Sequence, residues 1–265
     1  CHGENFERFA ARQWVYGNSV QDVVSTLKYG RPAIGMPEFG KAMSDSEINT
    51  LAQYTIENVA RVPAIIPSSL NVKDTVRSLD LDFVLEEVAG RNMKIPWGMA
   101  FLPNGDMLVT EKSGVLYLVS GGKMMVVDGL PELFVRGQGG LMEVAVQPQF
   151  EKNSLIYIAY ADGDASNALN TSIGRGELRN GRLVNFERIM RGIPDTNAGV
   201  HFGCRIVFDK DGYLYFTIGD RGRKENAQDL SNHCGKVHRI FDDGRIPTDN
   251  PFVDVPNAVK SIWSY

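Results

Sequence analysis

The sequence predicts a mainly β chain: a domain of repeated short strands preceded by a small all-α segment. Three observations predict it. From Phe83 onward, apolar stretches alternate with tight polar turns and show no helical period. Three of these stretches resemble one another at spacings of about 45 to 65 residues, the range in which repeated units build blades or solenoids. Before residue 60, by contrast, apolar residues recur at helical spacing behind recognisable caps.

The first repeat runs from Trp97 to Thr110, and further strand-like text follows at Gly114–Val119. The second runs from Gly140 to Pro148 and resumes at Leu155–Tyr160, and the third runs from Cys204 to Thr217. Each is an apolar strand, a polar turn and a second apolar strand. Asn104-Gly105 and Asp211-Gly212 supply the positive φ that a hairpin turn needs. Units with about four short strands each suggest β-propeller blades, and about three fit between residues 81 and 265. Fewer than four blades do not close a ring, and the chain therefore reads as a fragment, truncated at both ends.

Residues 1–60 read as helical. The segment Asp22–Leu27 ends in Tyr29-Gly30-Arg31-Pro32, a helix stop followed by proline. Ser44-Asp45-Ser46-Glu47 is a capping box, and behind it Ile48, Leu51, Ala52, Thr55, Ile56 and Val59 keep helical spacing. Residues 61–80 carry prolines and small polar residues without a period and read as a linker.

Composition narrows the classes. The 265 residues suffice for one large domain or two smaller ones, and 43% hydrophobic with 23% charged residues is ordinary for soluble globular protein. A net charge of -4 excludes a broad basic footprint for nucleic acid. No apolar run approaches the ~18 residues of a membrane helix. Gly137-Gln138-Gly139-Gly140 does not sit between a parallel strand and a phosphate-binding helix, so a nucleotide reading fails. Cys204 and Cys234 lie in strand-like contexts and read as buried thiols rather than a disulfide or metal pair. His233 and His238 read as surface or packing residues, and Met43, Met93, Met99, Met107 and Met142 as core filler.

The chain opens Cys1-His2-Gly3, the tail of a Cys-X-X-Cys-His motif for c-type haem attachment, and later reads Gly35-Met36-Pro37. Cys1 would hold the haem covalently, with His2 and Met36 as the axial ligands of its iron. Such ligation raises the reduction potential and suits electron transfer. The alternative is a lipid-anchored cysteine at Cys1. Covalent haem would place the protein in the periplasm, or make it secreted. This region resembles a class I cytochrome c domain lacking its first helix and first cysteine.

Ordered motifs across residues 81–265 carry a second resemblance. They are Pro96–Phe101, Gly137–Ala145, His201–Ile206, Phe216–Gly222, Ala227–Leu230, Gly235-Lys236-Val237 and Ile246–Phe252. Together they resemble the soluble quinoprotein glucose/sorbosone dehydrogenases, which include the aldose sugar dehydrogenases. The resemblance implies a six-bladed propeller with pyrroloquinoline quinone (PQQ) and Ca2+ near its axis, of which this chain would hold about three blades. It implies oxidation of a sugar hydroxyl, with His201 at the catalytic position. An imidazole suits the base because its ordinary pKa lies near neutrality. Gln138 and Arg223 match the family's PQQ contacts, and Lys224 falls where some members carry Asn. The three PQQ carboxylates would give a nearby Arg or Lys a charge-assisted partner. Val200 stands where relatives carry Asp or Asn. The expected whole is a quinohaemoprotein whose haem passes electrons to a respiratory acceptor. Two rivals are a non-catalytic binding module and a calcium-dependent lactone hydrolase; the second wants an axial set of Asp, Asn and Glu that the sequence lacks.

Overall fold

The computed structural model describes residues 14, 16–32, 35–61, 75–77, 80–84, 86–89, 93–163 and 168–265. Cys1 and His2 lie outside the described residues. The chain divides into two compact units, Cys1–Glu87 and Val88–Tyr265.

In the first unit, helix α1 (Val20–Tyr29) starts at a reciprocal cap. Asp22 donates its backbone N–H to the Ser19 hydroxyl at 3.1 Å and accepts the Ser19 N–H at 3.0 Å. Gly30, at φ 64°, ends the helix. The chain then folds back, and the N–H groups of Phe39 and Gly40 donate to the carbonyls of Leu27 and Lys28, both at 3.0 Å. Those bonds satisfy two of the carbonyls a helix leaves open at its C-terminus. Between them, Arg31 and Met36 exchange backbone hydrogen bonds of 2.8 and 3.2 Å. Met36 therefore sits in a short, pinned loop, half-buried.

Helix α2 (Asp45–Arg61) begins where the sequence predicts. Ser44 donates its N–H to the Glu47 carboxylate at 2.8 Å, and Glu47 returns its own N–H to the Ser44 hydroxyl at 3.3 Å. Ile48 and Ala52, four residues apart, form its fully buried edge. The segment 61–80, expected to be a linker, includes a short strand among its described residues. Strand β1 (Thr75–Arg77) lies inside it and pairs antiparallel with β2 (Asp82–Val84). Three-residue strands are too short to print an alternation in sequence.

Among the described residues, the second unit holds three four-stranded antiparallel sheets, each with its strands in chain order. The first is β3 (Pro96–Phe101), β4 (Met107–Glu111), β5 (Val115–Ser120) and β6 (Lys123–Val127). The second is β7 (Leu141–Val146), β8 (Leu155–Gly163), β9 (Leu169–Arg179) and β10 (Arg182–Arg191), with the short helix α3 (Phe150–Asn153) joining β7 to β8. The third is β11 (Ile206–Phe208), β12 (Leu214–Ile218), β13 (Lys236–Ile240) and β14 (Ile262–Ser264). Each predicted repeat supplies the first two strands of one sheet. Gly105 and Gly212 take φ 86° at the predicted turns.

Strand β8 explains its own composition. Residues Ile156 through Ala161 are all buried. Ile156, Ile158 and Tyr160 pack with Leu108 and Leu116 of the first sheet. Tyr157 and Ala159 pack with Ile206, Leu214, Phe216 and Ile218 of the third. A strand sandwiched between two sheets must be apolar on both faces, so its sequence reads as a continuous run rather than an alternation. Met142 is buried as expected, but Met99 is 55% exposed and is not core filler. The period of two puts it on the same face of β3 as Phe101, which is exposed too, as is Trp97 across the register shift. Cys204 and Cys234 are free thiols, partly and fully buried. His238 is fully buried and belongs to the packing, with its ring stacked 4.9 Å from that of Phe216.

Candidate functional site

The loop leading into β11 carries His201, and the loop leading into β7 carries Gln138. The Gln138 N–H donates to the Gly199 carbonyl at 2.7 Å, and the His201 N–H donates to the Gln138 Oε1 at 2.8 Å. On its other side the His201 loop meets the end of β12, where the Gly219 N–H donates to the Phe202 carbonyl at 3.0 Å. Two glycines permit these approaches. A Cβ on Gly139 would collide with the Phe202 ring, and one on Gly219 would overlap the His201 carbonyl. Phe202 is buried with Met142, Ala161 and Leu169, a small apolar cluster under the loop.

His201 lies at φ 52°, in the left-handed region that a residue with a Cβ rarely adopts. Its Nδ1 is 2.7 Å from Oδ1 of Asp220. The same carboxylate oxygen accepts the Gly222 N–H at 2.8 Å. The Asp220 carbonyl accepts from the Asn226 side chain at 2.9 Å and from the Arg223 N–H at 3.2 Å. A carboxylate at Nδ1 favours the tautomer with the proton on that nitrogen, which leaves the lone pair on Nε2. The His201 side chain is 45% exposed and that of Asp220 27%, so the ring is open to a ligand while its partner is sheltered. The pair has the geometry of an oriented general base.

Next to Asp220 the chain buries a guanidinium. Arg221 is 1% exposed, and burial pulls its pKa down to about 10. It donates to the carbonyls of Val200, Ala198 (2.7 Å) and Leu169 (3.3 Å). Its guanidinium carbon lies 3.4 Å from the Phe202 ring centroid.

Arg223 and Lys224 are both exposed, at the start of a 3-10 turn, Lys224–Gln228. That turn is tied to β13 by Lys236, whose Nζ donates to the carbonyls of Asn226 at 2.6 Å and Cys234 at 2.8 Å. The structure thus brings His201 and Gln138 into direct contact and sets Arg223 and Lys224 on the loop that continues from Asp220. Val200 contributes through its carbonyl, a contact indifferent to its side chain. Met36 belongs to the other unit, and Cys1 and His2 are outside the described residues. Among the described residues no three His, Cys, Asp or Glu side chains gather as a metal site, so none is assigned to calcium.

The sequence alone assigns no role to Asp220 and Arg221. They stand in the motif Gly219-Asp220-Arg221-Gly222, whose spacing from His201 announces no contact. Only the meeting of the β12 end with the His201 loop does.

The second unit is similar in sequence and fold to known proteins. The family model for Glucose / Sorbosone dehydrogenase matches residues 93–265. The aldose sugar dehydrogenase YliI of Escherichia coli is 36% identical over 184 residues, which is 68% of this chain and 50% of the relative. The crystal structure of the soluble aldose sugar dehydrogenase from Escherichia coli in its apo-form superposes with a TM-score of 0.63 at 36% identity, covering 65% of this chain and 51% of that one. The PQQ-bound aldose sugar dehydrogenase of Streptomyces coelicolor superposes with a TM-score of 0.58 at 27% identity, covering 68% and 52%. The chain spans about half the length of these relatives.

Proposed function

This chain belongs to the Glucose / Sorbosone dehydrogenase family, and from that premise we propose that its second unit oxidises a hydroxyl of an aldose or related polyol. The observation that carries the reading is the hydrogen-bonded His201–Asp220 pair, formed between two loops with the imidazole exposed. His201 takes the hydroxyl proton at Nε2. Asp220 holds the ring in the tautomer that can accept it and stabilises the imidazolium that results. The residues on the two neighbouring loops fit PQQ as a donor set. Gln138 commits its Oε1 to His201 and keeps its amide N–H groups for a ligand. Arg223 and Lys224 are exposed cations that complement three carboxylates. PQQ, when bound, supplies the quinone carbon that accepts the hydride from the sugar.

We assign the first unit to electron transfer. Cys1-His2 supports covalent haem c there, and Met36 supports a thioether ligand because its loop is closed by two backbone hydrogen bonds. Such a tether keeps an electron acceptor at high effective concentration. It also implies a periplasmic or secreted protein that hands electrons to a respiratory acceptor.

The test is reconstitution of the intact protein with PQQ and calcium, followed by aldose-dependent dye reduction and absorbance of the c-type haem. Wild type is expected to turn over and to reduce its haem. His201→Ala is expected to lose turnover while still binding PQQ. Unchanged turnover in that variant would overturn the catalytic role, and a silent haem in an active enzyme would overturn the electron path alone.

A further inference from the structure

We propose that Arg221 is a positioning residue that sets the backbone of His201 against Asp220. The proposal rests on the catalytic reading of His201 for its activity measurement, but its geometry stands apart from it. The Arg221 side chain takes hold on both sides of His201. Before it, the two terminal nitrogens reach the carbonyls of Val200 and Ala198. After it, the guanidinium carbon lies over the Phe202 ring, 3.4 Å from its centroid. A third hydrogen bond, to the Leu169 carbonyl at 3.3 Å, ties the same group to β9. The backbone of Arg221 is at the same time the continuation of Asp220, whose carboxylate meets the His201 ring. One residue therefore fixes the carboxylate through the main chain and the histidine through the side chain.

The electrostatics agree with a positioning role. Among the described residues no carboxylate pairs directly with this guanidinium: Asp220 is engaged by His201, and Asp195 by Arg191. A buried cation held by carbonyls is a costly way to fill a core, and an apolar side chain of similar volume would serve packing alone as well. A planar fork, however, can reach several carbonyls and stack on a ring at once, which an ammonium cannot. His201 and Arg221 both lie in the left-handed region, at φ 52° and 58°. Two such residues facing each other hold their shape only where their surroundings over-determine it, and these four contacts supply that constraint.

The test uses the intact holoenzyme and its PQQ-free form. Arg221→Met and Arg221→Lys are compared with Asp220→Asn and with the double variant. In the PQQ-free protein, the proton resonance of His201 Nδ1, identified by its loss in His201→Ala, reports the contact with Asp220. Both Arg221 variants are expected to shift or broaden it while far-UV dichroism stays native. In the holoenzyme, kcat is expected to fall about 10- to 100-fold with KM changed less than about threefold. In the Asp220→Asn background, Arg221→Lys is expected to add less than about threefold further loss, because the contact it supports is already gone. An unmoved resonance, or losses that multiply in full, would overturn the proposal. If Arg221→Met does not fold, Arg221→Lys keeps the stem and charge and is decided by the same two readouts. A wild type that does not oxidise sugars would sink the function, and the resonance would still decide the positioning role.

Discussion

His201 and Asp220 lie 2.7 Å apart, ring nitrogen to carboxylate oxygen, although they are 19 positions apart in the chain. The distance is set by sheet geometry: His201 precedes the first strand of the third sheet and Asp220 follows the second. Antiparallel pairing of β11 with β12 must bring those two ends together. A hairpin thus converts two separate sequence positions into one chemical unit.

Asp220→Asn tests that unit. The amide can still bond Nδ1, but it can donate, which favours the opposite tautomer and takes the lone pair from Nε2. We expect kcat to fall about 10²- to 10⁴-fold, with KM within a few-fold of wild type. Steady-state kinetics on PQQ-loaded protein check this, and a loss confined to KM would argue against a base at His201.

Gly219→Ala tests the support from below. The new methyl group would meet the His201 backbone, its carbonyl carbon at 2.6 Å, and main chain has little room to yield. Overpacking of this kind costs about 1–3 kcal/mol. We expect a lowered melting temperature and, in protein that remains folded, at least about a tenfold loss of kcat from displacement of the histidine. Wild-type kcat in this variant would mean that the His201 loop tolerates displacement.

Much of this architecture is written in the sequence, and the reason differs by element. The turns at Asn104-Gly105 and Asp211-Gly212 announce themselves because only certain residues accept their φ. The start of α2 is legible because Ser44 and Glu47 must satisfy orphan N–H groups. Strand β1 is not legible, because three residues carry no period. His201 and Gln138 were reached through resemblance, and the hydrogen bond between them spans 63 positions with nothing local to mark it. The roles of Asp220 and Arg221 are not legible there for the same reason. Their roles follow from a long-range meeting of loops, and burial of an arginine is the opposite of what its composition suggests.

A pH effect on stability follows from the third sheet. Burial pushes the His238 pKa from 6.5 down to about 3 and that of His233 down to about 4. His238 is neutral and bonded at both ring nitrogens, to the Ser261 hydroxyl at 3.0 Å and the His233 carbonyl at 2.9 Å. Below pH 6.5 the unfolded chain takes up protons that the folded chain refuses. The stabilisation is therefore complete above that pH and is lost as pH falls toward the folded values, with a slope of at most about 1.4 kcal/mol per unit for each histidine. We expect urea midpoints to be flat between pH 7 and 8 and to drop steeply from pH 6 to 4. His238→Gln removes one of the two groups and is expected to halve the steepness. An unchanged slope would locate the effect elsewhere.

The first unit supports a test that leaves the sugar site untouched. Met36 sits in a loop closed by its two backbone hydrogen bonds to Arg31. If the thioether ligates haem iron, Met36→Ala removes the ligand that raises the potential. The c-type haem is then expected to titrate at a lower potential, and sugar-dependent haem reduction to slow, while reduction of an artificial dye through PQQ keeps its wild-type rate. The two rates separate because the loop and His201 belong to different units of the chain. A potential unmoved by the substitution would exclude the thioether as a ligand, and a parallel fall in dye reduction would show that the substitution acts on the sugar site instead.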